Sequence, residues 1–100
     1  MENKIYDFLV SYCKGKDNKI KNKHLRQIFN IKSDRALREV IQNIRESKEY
    51  PLVIGSISGK QGGFYICISD DEIEETINNI KHRANKMLRM CHILDWKKNL

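Results

Sequence analysis

The segment from Asn22 to Ile68 constrains the fold most, because its local signals follow one another in a fixed order. A short amphipathic helix leads through a tight turn into a longer helix. Pro51 prevents the longer helix from continuing. Two β-like runs with a glycine-rich tip between them come next. This order predicts two helices that meet at a turn, with a β-hairpin beside them.

The ends of the two helices carry recognisable signals. Asn22 is expected to cap a helix over residues 23–29, and Asn30 tolerates the left-handed backbone of a tight turn. Ser33 then caps a helix from residue 34 to about 47. The periodicity places the following apolar residues on the inward faces: Leu25, Ile28, Phe29, Leu37, Val40, Ile41 and Ile44.

Further elements are predicted on both sides of these helices. Residues 4–14 have helical spacing of apolar side chains, with Ile5, Phe8, Leu9 and Tyr12 facing inward. The hairpin strands are expected at 52–57 and 64–68, and Ser69 begins an S-x-x-E capping box that opens a last helix. We therefore expect an α+β fold. The expected architecture is a winged helix-turn-helix, with three helices and a small antiparallel sheet whose β-hairpin is the wing, plus a long C-terminal helix.

The positive charge lies in one part of the chain. Residues 1–68 carry 13 Lys and Arg against 7 Asp and Glu, whereas residues 69–100 carry 6 of each. A local excess of this size indicates a polyanionic partner. It also supports a division into a winged helix-turn-helix domain, residues 1–68, and a C-terminal helix, residues 69–100, for packing and possible dimerisation.

Enzymatic chemistry is not expected from these residues. The three histidines stand in no metal-binding or catalytic array. The glycine cluster at 59–63 lacks the G-x-x-x-x-G-K-[ST] pattern and precedes a strand, so it fits a hairpin tip better than a phosphate loop. We expect a non-catalytic protein without metal, cofactor or small-molecule substrate.

Three widely spaced cysteines suit reduced thiols better than a disulfide framework. The chain shows neither a secretory signal nor an apolar run of membrane-spanning length. A cytoplasmic protein without a membrane partner is the resulting expectation.

The longer helix is predicted to read double-stranded DNA. Its outward face carries Arg35, Arg38 and Gln42, and these side-chain types form paired hydrogen bonds with guanine and adenine in the major groove. Other basic residues are expected on phosphates, where they position the helix without reading sequence: Lys21, Lys23, Arg26, Lys32, Arg45 and Lys60. The alternative is that this charged face is simply solvated, and Glu39 and Glu46 on the same face would repel phosphate.

The chain resembles small winged-helix proteins encoded by phages and prophages of low-G+C Gram-positive bacteria. The resemblance rests on Ile20–Phe29, Ser33–Arg35, Val40–Gln42, Tyr50–Ile54, Gly62–Tyr65, Ser69–Ile73 and His82–Ala84. It implies a DNA-binding protein in a regulatory, replication or packaging role, and it brings no catalytic residues.

The last helix carries a heptad seam of apolar residues spaced 4, 3, 4, 3, 4 and 3 apart, a pattern typical of helix–helix packing. Its first three members, Ile73, Ile77 and Ile80, are expected to pack within the molecule. The later members are predicted to form a homodimer interface: Ala84, Met87, Cys91 and Leu94. Two alternatives remain open. The whole helix folds back onto its own domain, or the protein is an interaction adaptor that uses this helix, with the winged helix as scaffold.

Overall fold

The structure is a computed structural model that describes residues 1–59 and 62–98. Within them it has four α-helices and a two-stranded antiparallel sheet, with a short 3-10 turn at Lys16–Asn18. The bounds are α1 Glu2–Tyr12, α2 Asn22–Phe29, α3 Asp34–Glu46, β1 Ile54–Ile57, β2 Gly63–Ile66 and α4 Asp70–Lys98. The α+β prediction is confirmed, and the order of elements is that of a winged helix-turn-helix with a long C-terminal helix.

The hydrophobic core lies where α1, α2 and α3 meet the hairpin. Each of these elements contributes fully or almost fully buried apolar side chains, which are Ile5, Leu9, Leu25, Leu37, Ile41, Ile44, Ile54, Phe64 and Ile66. Burial of each such side chain is worth about 1.5–3 kcal/mol. The apolar face of α3 is thereby held inward, and its charged face is left outside.

Two predicted inward residues are on the surface. Tyr12 is 72% exposed because α1 ends there, and the centroid of its ring lies 5.1 Å from that of the tilted Phe8 ring. Ile28 is 53% exposed, since the eight-residue α2 buries Leu25 and leaves Ile28 on its flank. The periodicity therefore predicted these helices correctly and overestimated the width of their buried faces.

Three residues are predicted to cap or end α2 and α3, and two of them have the predicted role. Asn30 has the left-handed φ of 55°, and Ser33 Oγ accepts a hydrogen bond from the Ala36 N–H at 3.0 Å. Asn22 is not the cap of α2; it is the first helical residue, after Lys21. Its amide instead donates to the Asp34 carboxylate, which joins the starts of α2 and α3.

β2 is the central strand of the wing. It pairs with β1, placing Gly55 opposite Tyr65, and on its other side Phe64 exchanges two backbone hydrogen bonds of 2.9 Å with Ile20. The close approach of Ile20 requires a glycine at position 63, because a Cβ there would collide with the Ile20 carbonyl.

The start of α4 is anchored to this body. The Glu72 carboxylate accepts hydrogen bonds from the backbone N–H groups of Ile68 and Lys16, both at 2.9 Å. Lys16 Nζ also pairs with Glu75 at 2.9 Å. Thr76 is buried beside Tyr65. These contacts hold the first two turns of α4 on the 3-10 turn and the hairpin.

The rest of α4 projects from the body. Ile73 is half-buried, but Ile77 and Ile80 are about 40% exposed, so the expected packing of these three residues is only partial. Every described side chain from residue 81 to 98 is exposed. The radius of gyration is 15.6 Å, whereas a compact domain of this length has about 13 Å.

Candidate nucleic-acid interface

The outward face of α3 is open to solvent. Arg35 and Arg38 have side-chain exposures of 91% and 60%, and Gln42 is exposed one turn further along. All three predicted base readers therefore lie on one accessible side of the helix. These exposures show that solvent reaches all three side chains.

Each of these three side chains has a carboxylate neighbour four residues away. Arg38 Nε pairs with Asp34 at 2.8 Å, and Arg35 Nε pairs with Glu39 at 3.4 Å. The Gln42 amide donates to Glu46 at 3.1 Å. The guanidinium and amide donors that base recognition needs are thus engaged internally in the free protein.

A cleft of about 970 Å³ opens beside α3. Its walls are α3, the hairpin, the start of α2 and the middle of α4. Five of the predicted DNA-contacting residues line it: Lys21, Lys23, Arg38, Gln42 and Arg45. Residues from four separate elements therefore converge on one concave surface, which is the form that binding sites usually take.

The cleft has a positive balance of charge. Among the described residues, five cationic side chains line it, Lys21, Lys23, Arg38, Arg45 and Arg83, against two carboxylates, those of Asp34 and Glu46. A cleft lined mainly by one sign of charge concentrates field lines and attracts the opposite charge. The arrangement suits a polyanion.

Arg83 is a lining residue that the sequence reasoning missed. It comes from α4, seven residues after the buried Thr76, and two helical turns place both residues on the same side of the helix. This seven-residue spacing is the sequence signal that could have identified Arg83. It can be interpreted only when Thr76 is known to lie against the hairpin.

Arg45 has an intramolecular role. Its Nε and Nη2 donate to the Ile54 carbonyl at 2.9 and 2.7 Å, and Nη2 also reaches Ser56 Oγ at 3.2 Å. Burial, and secondarily the charge of Arg83, lowers the pKa of Arg45. Because these donors already bind the first wing strand, we assign Arg45 to holding the wing on α3 and leave it out of the phosphate-binding set.

The remaining predicted phosphate contacts lie elsewhere. Arg26 is half-buried on α2, and Lys32 is exposed in the turn before α3; neither lines the cleft. Lys60, predicted at the wing tip, lies outside the described residues. Arg35 is exposed on α3 beyond the lining of the cleft.

The predicted dimer residues share one side of α4. Ala84, Met87, Cys91 and Leu94 are all exposed, and Met87 is 69% exposed. They continue the face on which Thr76 is buried, past the point where the domain body ends.

Among residues 1–59 and 62–98 there is no group of three His, Cys, Asp or Glu side chains that could hold a metal ion. Burial raises the pKa of the Cys13 and Cys67 thiols, which disfavours the nucleophilic thiolate. Within the same ranges, no helix has the length and apolarity needed to cross a membrane.

Comparison with protein-family models, with curated proteins and with solved structures gives no match. The function therefore has to be inferred from the side chains of the site, since a fold alone does not specify one.

Proposed function

We propose that this protein is a non-catalytic DNA-binding protein that recognises sequence in duplex DNA by inserting α3 into the major groove. The observation that carries the proposal is the exposed Arg35, Arg38 and Gln42 face of α3 beside a cationic cleft. The major groove of B-DNA admits one α-helix. In helix-turn-helix proteins the helix after the turn enters that groove with its leading residues on the bases.

To contact bases, Arg35, Arg38 and Gln42 must break their interactions with the neighbouring carboxylates and form hydrogen bonds with base edges instead. Solvent-exposed pairs such as Arg35–Glu39 and Arg38–Asp34 are worth about 0–1 kcal/mol each. A good bidentate contact to the correct base contributes about 1–3 kcal/mol of discrimination. The exchange is favourable at a matching base and unfavourable elsewhere, so the carboxylates sharpen specificity and weaken nonspecific binding.

We assign phosphate binding to cationic residues around the outward face of α3. Lys21 and Lys23 stand on the α2 side of the cleft, and Arg83 stands on the α4 side. Lys32, exposed in the turn before α3, adds positive charge outside the cleft. These contacts fix the register of the protein on the duplex and carry no sequence information.

The resemblance to winged-helix proteins of phages and prophages supports a more specific role. We infer a phage or prophage regulatory or replication accessory protein that acts in the bacterial cytoplasm on duplex DNA. The second candidate function is a protein-interaction adaptor in which the winged helix is a scaffold. The observation in its favour is the exposed second half of α4.

Equilibrium binding to a labelled duplex, measured by fluorescence anisotropy over a salt series, distinguishes the two functions. For Z phosphate contacts, log affinity should fall with log salt at a slope of about −0.9Z. The double variant Lys21→Gln/Lys23→Gln should reduce the slope by about one for each phosphate that the protein no longer neutralises.

The matched control is Lys4→Gln/Lys48→Gln, which removes the same charge from exposed positions outside the cleft. An unchanged slope is expected for it. Absence of binding at low salt, or equal losses in both double variants, would contradict the DNA-binding proposal and favour the adaptor.

A further inference from the structure

The second half of α4 carries an apolar stripe that the domain does not cover. The stripe begins against the hairpin, where Ile73 is half-buried and Thr76 is buried. It continues in phase through Ala84, Met87, Cys91 and Leu94, all of them exposed. Leu88 and Met90 flank it and are also exposed. Burial of apolar surface gains a free energy of about 25 cal/mol per Å², and surface that stays in water does not contribute it.

The spacing of the stripe indicates the shape of what covers it. Seven positions from Ile73 to Leu94 follow a heptad repeat, and a 3.5-residue period keeps one narrow seam facing a second, roughly parallel or antiparallel helix. At 1.5 Å per residue the seam is about 32 Å long. The partner is therefore a long helix with a matching seam.

A second copy of this chain supplies such a helix. α1, α2 and α3 have 11, 8 and 13 residues and bury their apolar faces in the domain core, whereas α4 has 29. The charge along α4 also sets a direction. Residues 70–80 carry five carboxylates and no Lys or Arg, and residues 81–98 carry six Lys and Arg against one Asp.

We propose that two copies of the protein associate through antiparallel pairing of their α4 helices. An antiparallel pair lays the basic half of one α4 beside the acidic half of the other, whereas a parallel pair aligns like charges. In the register that places Ile77 of one copy against Met87 of its partner, Ile73 meets Cys91 and Ile80 meets Ala84. The partly exposed Ile77 and Ile80 have apolar surface free for this contact.

The two domain bodies then lie at opposite ends of the helix pair. Association needs no DNA, so the inference extends beyond the proposed function and does not rest on it. For a DNA-binding protein it supplies a two-fold arrangement of recognition helices, and two-fold operators match such an arrangement.

Sedimentation equilibrium of the full chain under reducing conditions, without DNA, tests the pairing. We expect a mass of twice 11.8 kDa at micromolar concentration. Met87→Glu places a charge in the seam and should raise the dissociation constant at least about tenfold, as truncation of a central interface residue does. Asn85→Glu, on the opposite side of α4, introduces the same charge and should leave the mass unchanged.

Both positions are exposed in the single chain, so circular dichroism should show the same helix content for both variants. A monomer at hundreds of micromolar would overturn the proposal, as would equal effects of the two variants. Binding of the monomer to vesicles of anionic lipid would do so too, by giving the stripe another partner.

Mild oxidation tests the direction of the pair. Cys91 is the exposed cysteine among the described residues, while Cys13 and Cys67 are buried. In the antiparallel pair the two Cys91 residues are about 27 Å apart at 1.5 Å per residue, far beyond the reach of a disulfide. Rapid formation of a Cys91–Cys91 dimer would overturn the antiparallel arrangement, and its absence in a sample that sediments as a dimer supports it.

Discussion

At the level of single residues, the proposed affinity of α3 for DNA depends on the carboxylates beside Arg35, Arg38 and Gln42. Glu39 pairs with Arg35 and repels phosphate. We predict that Glu39→Gln increases affinity for duplex DNA about 1.4- to fivefold, in line with the 0.2–1 kcal/mol of an exposed pair. Anisotropy at fixed low salt measures the change.

Glu49→Gln is the control, because it removes the same charge from the loop after α3, away from the outward face of that helix. An increase that is no larger for Glu39→Gln than for Glu49→Gln would show that net charge, and not the α3 face, sets the affinity.

Gly55 is a second single-residue determinant. It lies opposite Tyr65 in the hairpin, and a Cβ at this position would stand 2.6 Å from Cε2 of the buried tyrosine ring. Gly55→Ala should therefore lower the free energy of unfolding by about 1–3 kcal/mol, as overpacking does. In urea denaturation, the exposed Ser58→Ala should stay within about 0.5 kcal/mol of the wild type. A Gly55→Ala protein as stable as the wild type would show that the ring can move aside.

At the level of elements, Arg45 attaches the wing to α3. Its guanidinium donates two hydrogen bonds to the Ile54 carbonyl, so removal of the guanidinium leaves that carbonyl without these donors. We predict that Arg45→Met destabilises the fold by about 1–3 kcal/mol. Arg35→Met makes the same change on the open face of α3, where surface substitutions cost within about 0.5 kcal/mol. Equal denaturation midpoints for the two variants would contradict the assignment of a structural role to Arg45.

The attachment of α4 should depend on pH through Glu72. Two backbone N–H groups, of Ile68 and Lys16, hold the pKa of the Glu72 carboxyl below its ordinary value of 4.5. A carboxyl with a lowered pKa stabilises the fold above its ordinary pKa and loses that contribution as the pH falls through the lowered one.

Urea denaturation of wild type and Glu72→Gln over a pH series measures this contribution. The wild type should be the more stable near neutral pH, and the difference should shrink as the pH falls below about 4.5. Glu74→Gln, exposed on the same helix, is the control. A difference that stays constant or grows on acidification would contradict the anchoring role.

The elements that the sequence predicted are those with local causes. Ser33 caps α3 and Asn30 turns the chain, because both act within four residues of their own position. Asn22 did not cap α2, since its amide finds Asp34 twelve residues away. Arg45 is predicted from the sequence to contact phosphate, and its position on α3 says nothing about a carbonyl nine residues further on.

At the level of the whole molecule, two surfaces on one chain remain available to partners. One is the cationic cleft with the α3 face, and the other is the free half of α4. The sequence predicted the outward position of Arg35, Arg38 and Gln42 and the apolar stripe of α4, because both follow from helical periodicity. It could not predict that Arg83 of α4 lines the same cleft as Arg38, because that contact depends on how α4 lies across the hairpin.

The proposed role of the molecule depends on the outward face of α3 reading base pairs in duplex DNA. Selection of binding sites from a randomised duplex, carried out with the wild type and with Arg38→Ala, is the decisive experiment. We expect an enriched sequence with the wild type, and with Arg38→Ala the loss of preference at one base pair while the other positions are kept. No enrichment, or an enriched sequence that Arg38→Ala leaves unchanged, would show that this face does not read DNA.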